Sequence, residues 1–569
     1  MSDTPDGPWI KTGKKILWGS EDGRWDDHFN GDAHIIRYKN QWWFYFKGVG
    51  IGDKPHETQL GIAVSDNLLG PYLKHEANPL IHSHAFSVWK HGTGIALLAG
   101  KHSEQHVFYA PDGLHFKKSG PFPNKSTGFY YPDNFRDDGT NKGITWGVDV
   151  RENGVRELYR FECNFENATQ SNVYFDFVKN KALEVIKTGF SAGDHYEEVW
   201  IRDYNTFIEL AARVHEPDVL KEKLMVFFRL QAQDGNIVDG YIPREKAGSV
   251  GYDFIYSDLE PWYAGHKNTV ETDQESSLIQ AIYKYVKVTG DESILSETVA
   301  GRTVAERLES ALDYLVNHKY SDRYGLIYGA TTADWGDVQP EHEWGVFITE
   351  DTHFAIDIYD NAMFLIALDN FMELVPGKKE KWEPVRNRIA KNSRKHLWDK
   401  KNQKFIPHIY LNGSPFPDDF NENEIFYHGG TALAIEAGLL SKKEIKISLE
   451  KMIANVKKAG AASIGLTMYP PYPEGYFRNP VMHPYGYQNG GDWTWFGARM
   501  IQQLIKNGMV EEAYEHIQPM VKRVKDNNGF CEWYTIHNEP RGSGTYRGSA
   551  GVLFKAVEML EEKYSTVKQ

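Results

Sequence analysis

The sequence predicts an α+β multidomain protein, with a partial β-propeller over residues 1–168 and an (α/α)6 toroid over residues 169–569. Three observations carry that expectation. Up to about residue 165, apolar residues fall in short runs or alternate with period two; beyond about 170 their period becomes 3.6. The second stretch holds about twelve amphipathic segments and no self-similar repeat, which favours closed hairpins over a layered array. At 569 residues and 41% hydrophobic composition, the chain can fill more than one core.

In the first segment, IIRYKNQWWFYFKG (35–48), GIAVSD (61–66), GIALLAG (94–100) and HVFYAP (106–111) are separated by Gly, Pro, Asp and Asn turns. Short strands with recurring DG or GP turns read as propeller blades. In the second, helices are expected at 173–190, 204–214, 217–231, 273–289, 302–317, 357–374, 380–397, 429–438, 442–458, 493–507, 509–526 and 548–562. Gly290 and the pair Pro376-Gly377 are stop signals. Twelve helices over about 400 residues suit six hairpins.

Composition narrows the function. A net charge of -14, from 64 basic and 78 acidic residues, argues against nucleic acid or anionic membrane as partner. No apolar run approaches the ~20 residues of a membrane helix. The polar start MSDTPDGPW lacks signal-peptide order, so a cytoplasmic location is expected. Cys163 and Cys531 give neither a disulfide framework nor zinc spacing. GVGIG (48–52) precedes no helix, so no nucleotide fingerprint is present and no cofactor or metal is expected. The 16 Trp, 32 Tyr and 30 Phe exceed ordinary core needs, and aromatic faces match the C–H face of a sugar.

Five loops of the helical segment carry chemistry. In EEVWIRDYNTF (197–207), Arg202 and Asp203 behind Trp200 can donate to and accept from sugar hydroxyls. In HKNTVETDQESSLIQAIYKY (266–285), Asp273 suits an N-cap with Glu271 and Glu275 nearby, while His266 and Lys267 resemble a polar pocket wall. In YGLIYGATTADWGDVQPEHEWG (324–345), Asp334 and Asp337 bracket Trp335, and an aromatic setting raises a carboxyl pKa as a general acid requires. In YGYQNGGDWTWFGARMI (485–501), Asp492 is a cap candidate and Trp493 and Trp495 could floor a sugar site; Asp360, opening another helix, is equally cap or ligand. In NNGFCEWYTIHNEPRGSGTYRGSAGVL (527–553), Glu532 is a late carboxylate suited to a general base. An inverting hydrolase needs two carboxyls ~6.5–9.5 Å apart to admit water.

These loops, over about 170–565, resemble the six-hairpin glycosidases, the group that includes glucoamylases, trehalases and rhamnosidases. WIRD resembles the glucoamylase W-x-R-D clamp, which implies sugar binding by Arg202 and Asp203. GLIYGATTADWGD stands where that family has its acid loop and GFCEWY where it has its base loop, which implies Asp337 or Asp334 as acid and Glu532 as base. Glucoamylases carry a Glu-Glu pair at the acid loop, where this chain has Asp-Trp-Gly-Asp. Residues 7–165 are similar to the later blades of neoagarobiose-hydrolase-like five-bladed propellers. That family has a His-Glu pair where this chain reads His84-Ala85, so catalysis by the β segment is not expected; Asp32, Glu104 and Asp133 read as turn or surface charges.

The expected function is therefore an inverting, exo-acting hydrolase of oligosaccharides. Phosphorolysis (with Arg541 and Arg547 as anion ligands), lyase or isomerase chemistry on His266, His342 or His428, and sugar binding without turnover are the alternatives. An incomplete propeller exposes strand edges, so cover by the helical domain or by a second copy in a homo-oligomer is expected.

Overall fold

The computed structural model describes residues 7–566 apart from 9, 11–12, 14, 22, 39–40, 55–56, 84, 92–93, 102–103, 111, 122–129, 134–141, 151–154, 165, 249–252, 268–269 and 344–345. It divides into two compact units, Met1–Phe175 with Glu561–Gln569, and Asp176–Leu560. No helix among the described residues is long and apolar enough to cross a membrane.

The first unit is built of antiparallel meanders, as its period-two patterning requires. One sheet runs β1 (Phe29–Tyr38), β2 (Gln41–Val49), β3 (Gln59–Ser65), β4 (Leu73–Lys74), with β5 (Ile81–His82) also on β3. A second runs β6 (Ala85–His91), β7 (Gly94–Lys101), β8 (Glu104–Ala110), β9 (Lys117–Pro121). A third runs β10 (Tyr130–Asp133), β11 (Lys142–Val150), β12 (Arg156–Asn164). Alternate residues such as Tyr45, Leu60 and Ile62 meet Phe86, Ile95 and Leu97 in one core. The first strands β1, β6 and β10 neighbour one another, as in successive blades, but three sheets are not a closed propeller. Asp32, in a left-handed turn at φ 48°, pairs with Lys47. His84 lies outside the described residues, and Glu104 and Asp133 are strand residues of β8 and β10.

The helical segments form where the 3.6 period places them: α1 (Glu166–Lys187), α2 (Ile201–Ala211), α3 (Pro217–Leu230), α4 (Gln274–Thr289), α5 (Val304–His318), α6 (Ile358–Leu374), α7 (Lys379–His396), α8 (His428–Glu436), α9 (Lys442–Ala459), α10 (Thr494–Lys506), α11 (Val510–Asp526) and α12 (Arg547–Thr566). Gly290 ends α4 in the left-handed conformation, φ 73°, that glycine adopts without a Cβ clash. Thr303 and Ser441 open α5 and α9 with full capping boxes. The even-numbered helices make the inner ring: α2 packs on α4, α4 on α6, α6 on α8 and α8 on α10. Gln502 of α10 donates to the Val552 carbonyl of α12, and Gly551 of α12 lies against Phe207 of α2, closing the ring. The odd-numbered helices alternate with them in the chain.

Asp492 does not cap α10, whose N-cap position is Trp493. Its carboxylate is fully buried on Arg523 of α11 (2.9 Å) and accepts from the Ser463 amide and hydroxyl (2.9 and 2.7 Å). Arg523 also donates to Thr494 Oγ1 and lies 4.1 Å from the Tyr534 ring centroid. Since Asp492 and Tyr534 exchange backbone hydrogen bonds, this pair ties α10 and α11 to the segment carrying Glu532. Arg523→Met would strand a buried carboxylate, so a loss of ~3–5 kcal/mol is expected in urea unfolding, partly restored in the Asp492→Asn/Arg523→Met double variant. Equal loss in both variants would contradict it.

Candidate active site

A cavity of about 310 Å³ opens at the end of the ring where the inner helices begin. Ile201, Arg202 and Asp203 of α2, Gln274 of α4, Trp495 of α10 and Tyr546, just before α12, all line it. One wall comes from a small sheet in the order β13 (Val199–Trp200), β14 (Gly240–Pro243), β16 (Glu260–His266), β15 (Phe254–Ser257). Its register sets Trp200 beside Gly240 and Gly240 beside His266, so the Trp200 and His266 rings meet edge to face at 4.9 Å. Burial pushes His266 down to about 4, which keeps its imidazole neutral.

Arg202 spans the floor. Its Nε donates to Asp273 Oδ2 (2.7 Å) and Nη2 to Asp273 Oδ1 (3.3 Å); Nη2 also pairs with Glu271, and Nη1 donates to the Trp335 carbonyl (3.3 Å). Tyr359 donates to the same Asp273 Oδ2 at 2.6 Å. Asp273 does occupy the N-cap position of α4, but its side chain makes no capping bond. The guanidinium and the tyrosine, both distant in sequence, hold the carboxylate instead.

The two sequence-predicted carboxylates, Asp337 and Glu532, line this same cavity. Asp337 Oδ1 accepts from Gln488 Nε2 at 2.8 Å. Glu532 is buried; Tyr196 donates to its Oε1 (3.0 Å) and the Ser543 amide to its Oε2 (3.1 Å). Burial lifts the Glu532 carboxyl above the usual range against those two bonds. Burial and the neighbouring Glu532 also raise the Tyr196 phenol, so Tyr196 stays a donor. Asp203 is 8% exposed; Tyr546 hydrogen-bonds it, and its Oδ1 has no hydrogen-bond partner among the described residues. Burial moves Asp203 to about 7. Six carboxylates (Asp203, Asp239, Glu271, Asp273, Asp337, Glu532) thus face one guanidinium, Arg202. Among the described residues no group of three or more His, Cys, Asp or Glu is placed to hold a metal ion.

Residues 144–534 match the catalytic domain of the glycosyl hydrolase 94 superfamily. The chain belongs to that superfamily. Solved structures similar to it include Zg3597, a family 117 glycoside hydrolase of the marine bacterium Zobellia galactanivorans, at 28% identity and a TM-score of 0.24, covering 29% of this chain. This chain spans half of Zg3597 (50%). The GH63 mannosylglycerate hydrolase of Thermus thermophilus in complex with glucose is similar at 14% identity and a TM-score of 0.49, over 66% of this chain and 99% of that one. A rhamnosidase of Klebsiella oxytoca with rhamnose bound is similar at 11% identity and a TM-score of 0.45, over 70% and 68%. No functionally curated protein matches.

In this glycosyl hydrolase 94 superfamily member, Trp200, Arg202, Asp203, His266, Glu271, Asp273, Trp335, Asp337, Trp493 and Glu532 come together at the cavity. Four other expected residues do not. Asp334 is buried within its own loop with φ 56°, and its oxygens accept from the Gly429 and Gly430 amides (both 2.8 Å) at the start of α8. A Cβ on Gly429 would collide with the Trp335 ring, so the close approach needs glycine. Asp334 is an anchor that leaves Asp337 to face the cavity. Asp360 sits in the first turn of α6, away from the cavity and behind the Asp357 cap. Asp492 is the buried partner of Arg523. Lys267 turns away to the Ile237 carbonyl (2.7 Å) and Gln274 (3.3 Å).

Of the residues named for the alternatives, His266 lines the cavity and the others fall elsewhere. Arg541 is exposed and pairs with Glu539, while Arg547 is tied to Ser191 and Thr188. His342 bonds Thr349, and His428 is buried on Asn455 and the Ile464 carbonyl. Sequence reasoning missed Tyr196, Asp239, Tyr487, Gln488 and Tyr546, all of which line the cavity. Tyr487, Gln488 and Tyr546 stand inside strings already singled out and Tyr196 directly before one, in aromatic- or glycine-rich loops too long for turns alone.

The Asp203 carboxyl supplies a stability test. Between about pH 4 and 7 the folded chain keeps a proton there that the unfolded chain has released, so stability falls as pH rises through that window. Asp203→Asn removes the buried charge. Its Tm relative to the parent is expected to rise by several degrees from pH 5 to pH 8; a difference independent of pH would refute this.

Proposed function

We propose that the chain is an inverting, exo-acting glycoside hydrolase acting on oligosaccharides. Asp337 donates a proton to the leaving oxygen while Glu532 takes one from the water attacking the anomeric carbon from the opposite side. The observation that carries this reading is the meeting of Asp337 and Glu532, far apart in the chain, in one cavity walled by Trp200, Trp335 and Trp493. Glu532, held by two donors, is oriented as a carboxylate, and its lifted pKa makes it a stronger base. The unpartnered Asp203 Oδ1 is a buried acceptor that a sugar hydroxyl would satisfy. A volume of about 310 Å³ is at the small end for ligand clefts and suits a terminal sugar.

The superfamily includes phosphorylases, which gives phosphorolysis a specific claim as the second reading. Charge speaks against it. A phosphate dianion would enter among six carboxylates, and Arg202 is already committed to Asp273, Glu271 and the Trp335 carbonyl.

With a panel of oligosaccharides, turnover is expected without inorganic phosphate, with the released sugar first seen by NMR in the inverted anomeric form. Asp337→Asn and Glu532→Gln are each expected to lose at least ~10³-fold in kcat while still binding sugar. A phosphate requirement with a sugar 1-phosphate product would establish phosphorolysis instead, and near-normal turnover of Glu532→Gln would remove the base assignment.

A further inference from the structure

The loop that carries Gln488 is shaped to deliver one side chain. Tyr485 and Tyr487 hold left-handed conformations, φ 64° and 41°, that tyrosine seldom adopts. The loop is pinned from several sides. Asn489 accepts from the Tyr472 amide (2.7 Å) and donates to the Tyr472 and Met482 carbonyls (3.0 and 2.8 Å). The Thr467 hydroxyl donates to the Gln488 carbonyl (2.9 Å), and the Trp493 indole donates to the Tyr487 carbonyl (2.9 Å). Between these anchors the Gln488 side chain is 1% exposed and reaches the acid loop.

There it makes a two-point contact with a single residue. The Asp337 amide donates to Gln488 Oε1 (3.3 Å) while Gln488 Nε2 donates to Asp337 Oδ1 (2.8 Å). The first bond settles the second. A backbone N–H can only donate, so the atom it faces must be the carboxamide oxygen, which turns the NH₂ group to Asp337. Gly336 makes room, since a Cβ there would lie 2.9 Å from Gln488 Oε1. An Asp337 Oδ1 that accepts from an amide N–H along its lone pair is poorly disposed to hold a proton of its own.

We propose that Gln488 is a positioning residue that selects the proton-bearing atom of the general acid: it occupies Asp337 Oδ1, so that the proton passed to the leaving oxygen resides on Oδ2. This rests on the hydrolase reading above. Gln488 touches no reacting atom. It holds the acid loop through the Asp337 amide and the orientation of the carboxyl group through Oδ1.

The test uses Gln488→Met and Gln488→Leu, which put an apolar side chain of similar bulk in its place and lose the donor to Asp337 Oδ1, with the oligosaccharide found to be cleaved. kcat is expected to fall 10- to 100-fold at nearly constant KM in both variants. With the glycosyl fluoride of the released sugar, whose departure needs little protonation, the loss is expected to shrink below 3-fold. A loss equal on both substrates would overturn the proposal. Asp337→Asn serves as reference: if it too is indifferent to the leaving group, the acid assignment fails rather than the role of Gln488.

Discussion

Helix beginnings converge at one end of the ring, and the site depends on that convergence: α2, α4 and α10 bring their first turns to the cavity, and α12 the residue just before it. Each helix start presents unpaired N–H groups and roughly half a positive charge. Packing even-numbered helices side by side brings these ends to the cavity, where they face Asp203, Asp239, Glu271, Asp273, Asp337 and Glu532. So many carboxylates with one guanidinium would otherwise repel each other in a poorly solvated hollow. Further along the same helices, Lys284, Arg499 and Lys555 line a second, polar hollow. There Lys284 donates to Asn205, and Arg499 and Lys555 pair with Glu436 and Glu209.

Buried ionic groups divide the work between anchoring and chemistry. Asp334 on the α8 amides, Asp492 on Arg523 and Asp273 on Arg202 have both oxygens or their whole charge engaged by the protein. They hold the loops on which Asp337, Glu532 and Trp335 ride. Asp203 retains an unengaged oxygen facing the cavity, and Glu532 is held by single donors on each oxygen. Left-handed backbone at Asp334, Tyr485 and Tyr487 marks the same loops, where the surrounding contacts override local preference.

Much of this is legible in the chain itself. Every expected helix forms, with ends moved by a few residues, because a 3.6 period and the stops at Gly290 and Pro376 are local signals. Residues of WIRD, ADWGD and CEWY line the cavity; aromatic residues beside carboxylates are poor turn formers and need another reason to be there. What failed was the choice within a string. Asp334 and Asp337 bracket Trp335-Gly336 in the chain, and only the left-handed turn at Asp334, held by α8, separates the buried anchor from the carboxylate at the cavity. Asp273 sits at the N-cap of α4 and Asp492 one residue before that of α10, yet distant arginines claim their carboxylates. Gln488 carried no signal, because an amide has neither a charge nor a motif.

The sequence alone determined the change from strand to helix, the number of helices, the strings that hold the site and an acidic, aromatic-rich character. Those are properties of neighbours in the chain, set by side-chain period and turn chemistry. Tertiary structure decided which carboxylate faces which, which ones are spent on arginine or helix amides, and that Tyr196 and Gln488 hold the two facing acids. Such pairings cost or contribute free energy only once the ring closes and water is excluded, so no local pattern of residues records them.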